Sequence, residues 1–245
     1  VLGPRSPVLL VGENKAGIRS SRPILEQVIG PVQEVEAARH CVLYRAALSD
    51  VPSRFALDHW EVRYQIEVAG VNLTVAGFPG VFSHGRLDDG TRFLLENLEL
   101  PGRGRVLDFG CGAGVIGALV KRLFPACEVD MVDSNGLALA AASRTMQANG
   151  LSANDIRPSD VFSDVPGAYT HIISNPPFHS GIATDYRVVA GFFEQATRHL
   201  APRGCLYVVA NRFLKYAPLI ETYLGECRVV AQNSRYCVYA GRLIR

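Results

Sequence analysis

From Arg105 onward, short apolar runs alternate with longer stretches in which apolar residues return every three or four positions. The short runs are Val106-Leu107-Asp108-Phe109, Glu128 to Asp133, Ile156 to Asp160, His171 to Ser174 and Cys205 to Ala210, and they read as strands. Val115 to Phe124, Gly136 to Asn149 and Val188 to Leu200 carry the helical period between them. Strands and helices in strict alternation place the chain in the α/β class, with an open, mostly parallel sheet covered by helices on both faces. A ligand site is then expected at the carboxyl ends of the strands, near the point where the strand order reverses. Upstream, Trp60 to Thr74 alternates with an extended period through Val62, Tyr64, Ile66 and Val68, and Gly70-Val71-Asn72 reads as a hairpin turn. A loop, Phe78 to Gly85, and a helix from Asp88 to Leu98 complete this lead-in.

The two ends of the chain repeat one another. Val8 to Lys15, Pro23-Ile24-Leu25-Glu26 and Arg39 to Tyr44 match Leu206 to Arg212, Pro218-Leu219-Ile220-Glu221 and Arg235 to Tyr239. Eighteen positions separate Pro23 from Cys41 and nineteen separate Pro218 from Cys237, so the two segments can share strand, helix and strand lengths. Residues 1–50 are therefore expected to be the closing third of a second domain of the same fold, with its front absent from this sequence. A turn-forming cluster, Ser49-Asp50-Val51-Pro52-Ser53, marks the boundary, followed by a lead-in at 51–100 and a core at 105–245 within a domain spanning 51–245. The N-terminal segment has no Gly-rich loop and no acidic strand end, and no chemistry is assigned to it.

Composition narrows the classes. At 245 residues and 48% hydrophobic content the chain can bury a sizeable core, and no apolar run approaches the roughly 18 residues a membrane helix needs. The start has neither a signal-peptide pattern nor an initiator Met, which suits a fragment or a processed chain. Six cysteines without a C-x-x-C pair are expected as reduced core thiols of a cytoplasmic protein, and six scattered His give no reason to expect a bound metal. A net charge of +2 neither demands nor forbids a nucleic-acid partner. The basic residues are nearly all Arg, which suits phosphate contacts but also follows from compositional bias; Arg86, Arg187, Arg212 and Lys215 are the candidates.

The first strand of the core ends in Asp108-Phe109-Gly110-Cys111-Gly112-Ala113-Gly114, where glycines let a backbone pass close under a ligand and the next helix offers free N–H groups. Gly112-Ala113-Gly114-Val115-Ile116-Gly117 also fits the dinucleotide fingerprint, with Asp133 downstream, so an NAD-dependent oxidoreductase must be weighed. Against it, a carboxylate immediately before the glycines suits an ammonium and opposes a pyrophosphate. D-x-G-x-G-x-G is the loop associated with S-adenosylmethionine. Asp133 can then accept from both ribose hydroxyls, while Asp160-Val161-Phe162, ending the third strand, can supply a carboxylate for the adenine amine and apolar surface for its ring. Each acid also has a plainer reading: Asp108 as a loop brace, Asp133 as a helix N-terminal acid, Asp160 as an N-cap.

The fourth strand leaves by Asn175-Pro176-Pro177-Phe178, a stiff segment rich in acceptors and poor in donors. The Asn175 side-chain oxygen and the Pro176 carbonyl offer two acceptors to an exocyclic amine, and Phe178 can stack on its ring. Accepting both protons turns the nitrogen lone pair toward a methyl donor, so catalysis is mainly orientation and electrostatics. An ordinary rigid turn is the alternative.

N-P-P-[FY] following D-x-G-x-G-x-G resembles the class I amino-methyltransferases. Taken with Phe78-Pro79-Gly80-Val81-Phe82-Ser83, Leu87-Asp88, Gly90, Ser174 to His179 and Val209-Ala210-Asn211, the chain resembles the bacterial 16S ribosomal RNA guanine-N2 methyltransferases of the small subunit, and their sisters that modify 23S ribosomal RNA. The resemblance covers nearly all of residues 8–245, including Gly12-Glu13-Asn14 and Ala38-Arg39-His40-Cys41. It implies a Rossmann-like sheet of seven strands preceded by part of a degenerate N-terminal methyltransferase-like domain. It further implies S-adenosylmethionine as cofactor with S-adenosylhomocysteine as product, and ribosomal RNA or the small subunit as partner of a monomer. Adenine-N6 or glutamine-amide methylation, and a non-catalytic RNA-binding module, remain open beside it.

Overall fold

The computed structural model describes residues 6–47, 56–176 and 186–244, which fall into two compact units divided between Ala56 and Leu57.

The first unit is a small antiparallel sheet. β1 (Pro7–Glu13), α1 (Ile18–Val28), β2 (Val32–Ala38) and β3 (Cys41–Ala47) follow in order, and the strands assemble as β1-β3-β2. Period-two alternation sends Val42, Tyr44 and Ala46 of β3 to one face, where they bury with Ile18 and Val32.

The second unit opens with a hairpin, β4 (Val62–Val68) and β5 (Val71–Gly77), then α2 (Asp89–Glu96). Its turn is the two residues Ala69-Gly70, both at positive φ, one position earlier than the sequence pattern suggests, because Val68 pairs with Val71. The core then runs β6 (Gly104–Phe109), α3 (Val115–Leu123), β7 (Cys127–Asp133), α4 (Gly136–Ala148), β8 (Asp155–Pro158), β9 (Tyr169–Ser174), α5 (Tyr186–His199), β10 (Leu200–Asn211), α6 (Ala217–Leu224), β11 (Gly225–Gln232) and β12 (Tyr236–Leu243). The seven strands lie in the order β11-β12-β10-β9-β6-β7-β8. All pairings from β10 to β8 are parallel, and only β12 runs against its neighbours. The α/β class and the seven-stranded, mostly parallel sheet thus agree with expectation, and the order reverses between β6 and β9.

Alternation along the strands divides the core in two. Val106, Val129, Met131 and Ile173 face α3, α4 and the hairpin, while Leu107, Phe109, Val132 and Ile172 face α5 and α6. The same rule places Asp108 on the α3 side and carries Asn175, two residues after Ile173, toward α2. At the opposite end of the sheet the buried Asp130 is satisfied by Arg105, Asn154 and the Tyr169 hydroxyl, so this charge braces strands rather than serving a ligand.

The repeat between the chain's ends is visible in three dimensions. β1-α1-β2-β3 and β10-α6-β11-β12 have the same topology, each with its last strand in the middle. Asn14 N–H donates to the His40 carbonyl and Arg212 N–H to the Arg235 carbonyl, both at 2.8 Å. A displacement of 195 residues carries Pro23 onto Pro218, the bulged Val35 onto Val230 and Cys41 onto Tyr236. The ladder therefore corrects the sequence match by one position: Cys41, opposite Glu13, corresponds to Tyr236, opposite Asn211, rather than to Cys237.

Candidate functional site

The glycine loop after β6 is built around one enclosed carboxylate. Asp108 has no exposed surface, and its Oδ2 accepts from the Gly117 N–H at 2.9 Å, capping the first turn of α3 from beneath. Its Oδ1 is buried without a partner among the described residues, and burial raises the pKa to about 7. One oxygen of Asp108 thus braces the loop while the other is uncommitted among the described residues. This geometry also weighs against a dinucleotide: a helix N-terminal amide that a pyrophosphate would need is already taken by the protein's own carboxylate.

The glycines differ in purpose. Gly110 is exposed at φ +68, and a Cβ there would meet nothing within 4 Å, so this position faces open space. Gly114, at φ +75, has the Ala142 Cα 2.8 Å from its ideal Cβ, so it permits α3 and α4 to approach. Cys111 is buried, with its thiol pKa pushed up by burial, and it lines the loop rather than reacting.

Asp133, at the end of β7, is half-buried and ties the loop together: Oδ2 accepts from the Gly112 N–H and Oδ1 from the Asn135 N–H, each at 2.9 Å. Its carboxylate retains further acceptor capacity. β8 ends at Pro158, so Asp160 stands in a turn beyond the strand rather than within it. Asp160 and Val161 are exposed, Val161 at φ 53, on the same edge as Asp133. Phe162 does not join them: it is buried and stacked on Phe109 with ring centroids 4.4 Å apart. A depression of about 470 Å³ lined by Ser134, Arg157, Ser159 and Asp160 follows these strand ends.

Asn175 closes the other side. Its amide nitrogen donates to Asp88 Oδ2 at 3.0 Å and to Thr91 Oγ1 at 2.9 Å. Asp88 is the N-cap of α2, and the same Oδ2 accepts from the Thr91 N–H at 2.8 Å. Asp88 offers only acceptors, so the amide orientation is fixed and the Asn175 Oδ1 is left to receive a donor. Asp88 stands in the Leu87-Asp88 motif without an assigned role and Thr91 stands in no motif; an Asp at the start of a helix, in N-cap position, is the further local signal. Pro176 is buried, and Pro177 and Phe178 lie outside the described residues.

A narrow cleft joins the glycine loop to Asn175. Gly110 to Ala113, Asn175, Thr91 and the loop from Phe82 to Asp88 line it. Ser83 Oγ donates to the Arg86 carbonyl at 2.9 Å, and Tyr64 O–H to the same carbonyl at 3.2 Å, which holds this loop beside the glycines. A larger depression of about 720 Å³ lies at the amino ends of the strands, around His171, Arg228 and Arg242, away from the glycine loop. Among the described residues no three His, Cys, Asp or Glu are grouped to hold a metal, none of the six cysteines is bridged, and no helix is long and apolar enough to cross a membrane.

The Methyltransferase small domain family matches residues 72–240, and the Methyltransferase small domain N-terminal family matches residues 1–64. The ribosomal RNA small subunit methyltransferase C of Pasteurella multocida is 45% identical, over 96% of this chain and 70% of that protein. Its namesake from Colwellia psychrerythraea is 40% identical over 99% of this chain and 68% of that protein. Among solved structures, the T. thermophilus 16S rRNA N2 G1207 methyltransferase in complex with AdoMet and guanosine superimposes with a TM-score of 0.82 at 26% identity, over 98% of this chain and 66% of its own length. A seven-stranded sheet with its glycine loop and Asn175 at the reversal point, matched along almost its whole length to these relatives, places the chain in the ribosomal RNA small subunit methyltransferase C family.

Proposed function

We propose that this chain transfers a methyl group from S-adenosylmethionine to the exocyclic N2 of a guanine in 16S ribosomal RNA. The observation that carries the reading is the Asn175 amide, held by Asp88 and Thr91 with its oxygen uncommitted, in a cleft shared with the glycine loop. The relative solved with AdoMet and guanosine supports both ligands.

The residues present fit the cofactor. Gly110 opens on free space, Asp108 keeps an orphaned buried oxygen on the loop's underside, and Asp133, Asp160 and Val161 share the adjoining edge. In this reading Gly110, Cys111, Gly112 and Gly114 shape the loop under the aminocarboxypropyl arm. Asp133 accepts from the ribose, and Asp160 and Val161 border the adenine. When bound, the cofactor supplies a methyl group on a sulfonium sulfur.

The chain's own part is orientation. Asn175 Oδ1 and the Pro176 carbonyl accept the two amine protons, so the nitrogen lone pair points away from both of them and along the line of displacement. Phe178 stacks on the base in this reading. No strong base is required beforehand, because the nitrogen's proton becomes acidic only once the new N–C bond exists. The same reading carries a cytoplasmic monomer acting on ribosomal RNA or the small subunit, with residues 1–50 as the closing part of a degenerate N-terminal methyltransferase-like domain and 51–245 as the catalytic domain. The matched β-α-β-β topology at the two ends supports that division.

Methyl incorporation from labelled donor into naked 16S RNA, assembled 30S subunits and 23S RNA tests the reading. Labelling of 16S RNA or the 30S subunit is expected; labelling confined to 23S RNA or to protein overturns it.

A further inference from the structure

Phe213 is 74% exposed, more than any other large apolar side chain among the described residues. It is not loosely held. Its successor Leu214 is buried, the Leu214 N–H donates to the Asn211 carbonyl at 2.9 Å, and the Tyr239 O–H donates to the Leu214 carbonyl at 3.1 Å. The backbone one residue earlier is fixed by the Arg212 N–H on the Arg235 carbonyl. An aromatic ring is thus presented to solvent by a braced turn, flanked by the exposed Arg212 and Lys215.

The turn stands on the rim of the site. Val208 of β10 is level with Ser174 of β9, so Asn211 lies about two residues, or roughly 7 Å, beyond the level of Asn175 on the neighbouring strand. The Arg235 guanidinium meets Asp89 at 3.2 Å, next to the cap that orients Asn175.

An exocyclic amine must lie in a cleft beside the methyl donor, which a base stacked within a duplex cannot do. Once the target leaves its stack, the neighbouring bases lose a stacking partner, and single-stranded RNA is recognised by aromatic rings with cations beside them. We infer that Phe213, with Arg212 and Lys215, is a platform on which a base flanking the target nucleotide stacks while the two cations meet its phosphates. This rests on the proposed RNA substrate and adds the surface that receives the strand around it.

The test compares wild type with Phe213→Ala, Phe213→Trp and the Arg212→Ala, Lys215→Ala double variant. Binding of a fluorescent single-stranded RNA from the substrate region, binding of S-adenosylhomocysteine and methyl transfer to 16S RNA are measured for each. Phe213→Ala is expected to weaken RNA binding about tenfold and Phe213→Trp to restore it. The double variant is expected to reduce the slope of log affinity against log salt by roughly 0.7 for each phosphate that is no longer neutralised. S-adenosylhomocysteine affinity is expected to be unchanged throughout. RNA binding by Phe213→Ala equal to wild type, or a change confined to self-association, overturns the platform while wild-type methylation of 16S RNA leaves the function standing. Phe213-dependent RNA binding without methyl transfer by wild type supports the platform and overturns the function.

Discussion

The Asn175 amide nitrogen and the Asp88 carboxylate are 3.0 Å apart although 87 positions separate them in the chain, and this hydrogen bond decides which end of the amide faces the cleft. Asp88→Ala is expected to lower methyl transfer by ten- to a hundredfold at unchanged S-adenosylhomocysteine affinity, and to cost about 1 kcal/mol of stability by removing the N-cap. Asp88→Asn keeps an acceptor for both Thr91 and Asn175 and should recover most of the rate. Single-turnover transfer and urea unfolding read the two effects separately. A full rate in Asp88→Ala would mean that other groups hold the amide.

Asp133 joins loop and ligand. Asp133→Ala removes the acceptor for Gly112 N–H as well as the proposed ribose contact. S-adenosylhomocysteine binding should weaken by about 1 to 3 kcal/mol by calorimetry. Wild-type affinity in the variant would refute the ribose role.

Asp108 is expected to titrate within the folded protein. Burial lifts its pKa from 3.8 to about 7, so the folded state holds this proton more tightly than the unfolded chain does. The stability it contributes is complete below about pH 4, is lost as pH rises through about 7, and levels off beyond the folded-state pKa. Relative to Asp108→Asn, which cannot titrate, wild type should lose stability across that window by about 1.4 kcal/mol per pH unit at most. Urea unfolding of both proteins from pH 4.5 to 8 measures it, and a flat difference would mean that Asp108 is ionised throughout.

Two glycines of one loop should fail differently when replaced by alanine. Both carry backbone strain at positive φ, but only Gly114→Ala also drives a methyl into the Ala142 backbone. Gly114→Ala is expected to lower unfolding stability by several kcal/mol. Gly110→Ala should cost about 1 kcal/mol and mainly weaken S-adenosylhomocysteine binding, because its methyl enters the ligand's space. Thermal unfolding and calorimetry on the pair check this; equal losses of stability would contradict the assignment of Gly110 to the ligand.

What could be read from the chain followed from what is local. Strand and helix periods located β6 through β10 within a few residues, and the acids and amide at strand ends were legible because a parallel sheet gathers those ends on one edge. Contacts made across the sheet were not. Nothing near Asp88 distinguishes an ordinary N-cap from one that also holds Asn175. Phe162 carries the same sequence signal whether it faces a ligand or, as here, folds back on Phe109. The correspondence of Cys41 with Tyr236 depends on ladder register, which similar residue types one position apart cannot fix.

The order of parts along the chain limits how they can be recombined. β6 to β8 and the turn after them, which carry the glycine loop, Asp133 and Asp160, form one uninterrupted stretch. Asn175 and the Phe213 turn come after it, while Asp88 comes before it. A chimaera that grafts β9 to β12 onto another lead-in inherits Asn175 without the carboxylate that aims it. Acceptor choice can therefore be transplanted only as two flanking pieces moved together.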